Sequence, residues 1–118
     1  MKLLCSALAC LVATAAGAET LQVPRCDSGR PARLRIHVGA LARGTEIEIR
    51  SDKGELIGTV APFALREGQE AGTQEFPLPP DLVHGGRVSL RLAARRFGAP
   101  PRLPAASEVK ELATVCSR

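Results

Sequence analysis

The sequence predicts an all-β protein: a small antiparallel β-sandwich of about seven strands. Three observations carry this. Apolar and polar residues alternate with period two in several short runs, the pattern of strands with one face buried and one face wet. Glycine- and proline-bearing turn signals separate the runs at short intervals. Helical periodicity is confined to a single short stretch. A small β-barrel is the alternative built from the same strands.

The chain opens on "MKLLCSALACLVATAAGAET", with one positive charge at Lys2 and then apolar and small residues as far as Ala18. A short basic start, a brief apolar stretch and Ala16-Gly17-Ala18 describe a cleavable secretory signal over residues 1–18. A membrane anchor would need roughly 20 strongly apolar residues, and this run is alanine-rich. Cys5 and Cys10 leave with the leader, and a single domain over 19–118 remains.

Within that domain "TLQVPRC" supplies the first candidate strand. "ARLRIHV" turns Leu34, Ile36 and Val38 to one side and Arg33, Arg35 and His37 to the other. "TEIEIRS" sets Ile47 and Ile49 against Glu46, Glu48 and Arg50. "SDKGE" makes a tight turn into "LIGTVAPF", and "REGQEAG" leads to "TQEFPLP", where Pro77 and Pro79 mark a strand end or an edge. After "PPDLVHGG" comes "RVSLRLA", with Val88, Leu90 and Leu92 inward and Arg87, Ser89 and Arg91 outward. "SEVKEL" holds the one helical signal, a capped turn in the loop before the last strand, "KELATVC". If the runs 33–38 and 45–50 form a hairpin around "GALARG", Arg35 faces Glu48 and His37 faces Glu46.

The mature domain keeps one cysteine near each end, Cys26 and Cys116. Two cysteines in an exported chain are expected to pair as a disulfide. Short strands, frequent turns and one bridge across the ends give an immunoglobulin-like or fibronectin-III-like pattern, although the buried Trp and corner Tyr of many such domains are missing.

Composition narrows function. The chain has no Trp, no Tyr and no Asn, and its aromatics are Phe63, Phe76 and Phe97. With no stacking platform, nucleic acid and carbohydrate are not expected as partners. No serine sits in a G-x-S-x-G elbow, and no D-x-D-x-D-G calcium loop occurs. Glu46 and Glu48 share a strand face, without a closed cleft to separate their pKa values. The expectation is therefore a non-enzyme without a cofactor. A periplasmic metal carrier using His37, His84 and free thiols is the alternative from another class, although the histidines lie far apart in sequence and the mature chain has no Met.

Charge is unevenly placed. From Glu19 to Asp81 there are eight basic and ten acidic residues; from Leu82 onward seven basic residues face only Glu108 and Glu111. Such asymmetry bears on association rather than on fold. "VSLRLAARRFGAPPRLP" concentrates it, and Arg91, Arg95, Arg96, Phe97 and Arg102 are the candidate binding residues, because arginine beside an exposed aromatic is the composition enriched at protein interfaces. The expected partner is another exported or envelope protein with an acidic surface, reached in the periplasm or outside the cell; an anionic membrane surface is a second fit. A structural part of an envelope assembly, joined through the strand edge at "TQEFPLP", is the remaining alternative.

Overall fold

The computed structural model describes residues 18–27, 29–62, 66 and 68–117. The leader expected over 1–18 falls outside them except for Ala18, and so does Phe63. Among the described residues there are seven strands: β1 (Ala18–Gln22), β2 (Ala32–Ala40), β3 (Thr45–Ser51), β4 (Leu56–Val60), β5 (Glu70–Pro77), β6 (Arg87–Arg96) and β7 (Val109–Cys116). They form a four-stranded sheet in the order β1-β6-β3-β4 and a three-stranded sheet in the order β5-β2-β7. Every pairing is antiparallel. Among the described residues, no helix is long and apolar enough to cross a membrane.

The alternation read in the sequence sets the inner faces. Leu34, Ile36 and Val38 of β2, Ile47 and Ile49 of β3, and Val88, Leu90, Leu92 and Ala94 of β6 are buried in one cluster with Val60 of β4. Complete burial of a Val, Leu or Ile side chain contributes about 1.5–3 kcal/mol, so these few positions hold the two sheets face to face. Leu41, Leu78 and Leu82 come from connections and close the ends of the layer. Leu82 ends a single 3-10 turn, Pro80–Leu82, within the "PPDLVHGG" connection. The helical signal at "SEVKEL" amounts to one turn, in which Ala105 accepts from the backbone N–H groups of Glu108 and Val109; from Val109 onward the chain is strand.

The side edge between the sheets is closed by Phe76 of β5 against Gly58 of β4. A Cβ on Gly58 would lie 2.5 Å from the Phe76 ring, so only glycine admits the ring at that seam.

The hairpin expected between the second and third strands does not form. Arg35 stands opposite Glu75 and Ala113, and His37 opposite Thr73 and Glu111, because β2 pairs with β5 and β7. Glu46 and Glu48 of β3 stand opposite Arg95 and Ala93 of β6. Alternation fixes which face of each strand is buried and leaves its neighbours open; in this fold β2 and β3 lie in facing sheets. The short connection after Ala40, with Leu41 buried, instead carries the chain across to the opposite sheet. The end strands also cross over. In the immunoglobulin constant-domain order the first strand lies beside the second and the last beside the sixth; here β1 lies beside β6 and β7 beside β2.

Cys26, in the connection from β1 to β2, is bridged to Cys116 at the end of β7, with a Cα–Cα distance of 5.5 Å and 90 residues between them in sequence. The bridge ties the two ends of the domain together at one pole. Closing a loop of that length removes unfolded-state entropy equivalent to about 4–5 kcal/mol in the chain-entropy model. Urea titrations of the oxidised protein and of its Cys26→Ser/Cys116→Ser variant are expected to differ in unfolding free energy by about that amount; a difference below about 1 kcal/mol would show that the bridge constrains little.

Candidate functional site

On β6 Val88, Leu90, Leu92 and Ala94 enter the core, which leaves Arg87, Ser89, Arg91, Ala93 and Arg95 on the outer face of the four-stranded sheet. Beyond Arg96 the chain turns, Ala99 donating its N–H to the Arg96 carbonyl at 3.1 Å, and Phe97 projects wholly into solvent. The chain then runs back along the edge of β6 that β3 does not occupy. Arg102 and Ala94 exchange backbone hydrogen bonds of 2.8 and 3.1 Å there.

This returning segment is held by one ion pair. Arg102 donates through both terminal nitrogens to the two carboxylate oxygens of Glu108, each at 2.8 Å, and through one of them to the Leu103 carbonyl at 3.1 Å. Glu108 is buried, and its Oε1 also accepts the Ala105 N–H at 2.8 Å. The Arg102 hydrogen bonds hold the Glu108 carboxyl below its ordinary value of 4.5; burial opposes this and the Ala105 N–H reinforces it. Beneath the turn, Gly39 of β2 donates its N–H to the Glu108 carbonyl at 2.9 Å. A Cβ on Gly39 would lie 2.2 Å from the Ser107 carbonyl oxygen, so this close approach depends on glycine.

Between the segment and the sheet lies a groove of about 460 Å³. Glu48, Arg50, Arg91, Ala93 and Arg95 line it from the sheet, and Pro101 and Leu103 from the other side. Glu48 is the only acidic side chain in this lining, and its side chain is 12% exposed. Its two oxygens take the Arg50 Nε at 3.1 Å and the Arg95 Nε at 3.5 Å. Arg50 also donates to the Gly54 carbonyl at 2.9 Å. Arg91 stands directly across from Arg50 in the strand register, and like charges in that relation repel. Among the described residues neither Arg91 nor Arg96 forms an ion pair.

The structure therefore brings Arg91, Arg95 and Arg102 of the sequence candidates to one groove, with the guanidinium of Arg102 engaged on Glu108. Arg96 and Phe97 line an adjoining hollow with Gly44 and Glu46, and Arg95 borders both. Arg50 and Glu48 were not among the candidates. Their alternation in "TEIEIRS" places them on an outer face, but only the β3–β6 pairing puts them beside Arg91 and Arg95.

The outer face of the three-stranded sheet contrasts with this one. Glu75 takes Arg33 at 3.3 Å and Arg35 at 3.0 Å. Glu70 takes Lys110 and, at 2.9 Å, His37, whose other ring nitrogen meets the Thr73 hydroxyl at 2.8 Å. Lys110, and after it His37, hold the Glu70 carboxyl below its ordinary range. His84 lies far from this cluster in the fold's connectivity, in the turn before β6 of the other sheet, and the sulfurs of Cys26 and Cys116 are in the disulfide. Among the described residues, no three His, Cys, Asp or Glu side chains are grouped so as to hold a metal ion.

Comparison with protein-family models, with curated proteins and with solved structures finds no match to this chain.

The folded-state pKa of Glu108 is depressed. Its contribution to stability is therefore fully present above the ordinary carboxylate value of 4.5 and is lost as pH falls through the lowered value. Glu108→Gln keeps an acceptor for the Ala105 N–H but removes the charge that holds Arg102. Near pH 7 this variant is expected to melt about 5 °C below the parent protein, with the gap closing below pH 4. Equal melting temperatures at pH 7 would show that the ion pair does not anchor the segment.

Proposed function

We propose that this chain is an exported, non-enzymatic accessory domain that binds an acidic protein partner through the arginine-lined groove and the Phe97 turn beside it. The reading rests above all on one observation: the groove is lined by Arg50, Arg91 and Arg95 and by one carboxylate, Glu48, which pairs with Arg50 and Arg95 and leaves Arg91 over, so the groove keeps surplus positive charge. Such a surface steers an acidic partner during encounter, and an exposed aromatic at its rim gives the docked complex an apolar anchor.

Architecture supports the same reading. The β2–β3, β4–β5 and β6–β7 connections leave from one end of the sandwich, as the strand registers require. The disulfide closes the opposite end. Immunoglobulin-like sandwiches commonly present connections from one end as a binding surface over a rigid body, and we extend that usage to this domain. Export follows from the leader read at residues 1–18, and the paired cysteines are consistent with an oxidising compartment.

The test is capture from the envelope and secreted fractions of the source cell, with the oxidised mature domain and its Arg91→Glu/Arg95→Glu variant as baits. The parent domain is expected to retain a partner whose association slows steeply with added salt, and the variant to associate at least about tenfold more slowly. An identical partner set for the two baits at low ionic strength would overturn the reading.

A further inference from the structure

The placement of the arginines carries information about the shape of what they bind. Arg91 and Arg95 are four residues apart on one strand, both on the outer face, with no register shift in the β3–β6 ladder between them. At 3.3–3.4 Å per residue their positions are about 13–14 Å apart. Midway between them is Ala93, whose small side chain leaves the groove its depth, and directly across from Ala93 is Glu48. By strand position Arg50 and Arg91 stand toward one end of the groove and Arg95 toward the other, where Glu46 faces it across the strands. Glu48, at the centre, draws the Nε of Arg50 and of Arg95 toward itself. Pro101 and Leu103 line the groove from the returning segment, and Leu103 is 48% exposed.

We propose that the groove receives an extended segment of the acidic partner, with an acidic residue at each end of a five-residue stretch and an apolar residue at its middle. This rests on the reading that the partner is an acidic protein. In an extended chain, residues four apart face the same way and are separated by the same 13–14 Å as the arginine positions. One carboxylate meets Arg50 and Arg91, relieving the repulsion between them. The other meets Arg95, which Glu48 holds only loosely at 3.5 Å. The central apolar side chain packs on Ala93 and Leu103. An acidic residue at that centre would meet Glu48 and be repelled, so the site discriminates by arrangement as well as by net charge. A helix reaches the same span only with acids about nine residues apart.

Fluorescence anisotropy on the oxidised mature domain at about 10 mM ionic strength, where the Debye length is about 30 Å, tests this with four capped, dye-labelled peptides of equal net charge. In the first, two aspartates flank Thr-Val-Thr. In the second, the two aspartates are adjacent. The third has one aspartate at the centre of the five and the other outside. The fourth is a helix-stapled peptide with the acids nine residues apart. The first is expected to bind about tenfold more tightly than each of the others, the effect of one charge-assisted contact. Arg91→Gln and Arg95→Gln are each expected to remove most of that advantage, while Arg87→Gln, on the same face but outside the groove, leaves it intact. Equal binding of all four, or retention of the advantage in both variants, would overturn the spacing inference and leave the acidic-partner reading to the capture experiment. Tighter binding of the stapled peptide, or no binding of the first, would overturn the extended-segment inference in the same way. Loss of the salt-sensitive partner from the capture experiment would remove the reading beneath it.

Discussion

Each sheet of this domain has one apolar face, and neither face is stable against water on its own. The rest of the structure depends on their burying each other. That requirement is met with β2 and β3, adjacent in sequence and similar in pattern, in opposite sheets. It explains why the short connection between them carries a buried leucine at position 41. It also explains the two close approaches that tolerate only glycine: at Gly58, where Phe76 closes the seam, and at Gly39, where the turn before β7 presses on the end of β2. With so few large aromatic side chains, the core is made of Leu, Ile and Val. Such a layer is thin, and a covalent tie across its ends adds stability on the scale of the whole net stability of a small domain.

Once the inner faces are committed, the outer faces differ in how their charges are settled. On the three-stranded sheet, Arg33, Arg35 and His37 of β2 each have an acidic neighbour on β5, Glu75 or Glu70. On the four-stranded sheet, β6 presents Arg87, Arg91 and Arg95 in a row, and acidic neighbours, Glu46 and Glu48 of β3, stand beside Arg95 alone. β1 places Gln22 and Ala18 opposite Arg87 and Arg91, while β3 places Arg50 opposite Arg91. Surface ion pairs are weak, about 0–1 kcal/mol each, so this contrast matters little for stability. It matters for the potential the domain presents to other molecules, which sums over all the charges on a face.

Much of the fold was legible in the sequence because burial writes itself in period two. Leu34, Ile36, Val38, Ile47, Ile49, Val88, Leu90 and Leu92 were identifiable as inward-facing from alternation alone, and all are buried. The Cys26–Cys116 bridge was legible from compartment and count. Strand neighbours were not, because alternation assigns a face and says nothing about which strand lies alongside; hence the expected pairing of Arg35 with Glu48 gave way to Arg35 with Glu75. The site was legible to the same degree. Arg91 and Arg95 could be placed outward from their own strand. Arg50 and Glu48 could not be added until β3 was known to lie beside β6. The role of Arg102 was hidden for a different reason. Its partner is only six residues away, but the two meet because the intervening loop folds over Gly39, and no periodicity records that.

The opposed arginines are the point at which the domain departs from the rules that govern the rest of it. Arg50 and Arg91 face each other across adjacent strands, a juxtaposition that destabilises a sheet. Elsewhere local choices mostly agree: the inward positions of β2 and β6 are apolar, Arg33, Arg35 and His37 on the other sheet have acidic partners, and the buried carboxylate of Glu108 has both a cation and a backbone donor. Departures of this kind in a locally consistent protein concentrate where function is exercised. The departure is also inexpensive, since both guanidinium groups reach water and screening weakens their repulsion. Displacing that water with a partner's carboxylate would convert a mild repulsion into two attractions at once. The repulsion between the two guanidinium groups, and with it the small cost to the free domain, falls as ionic strength rises.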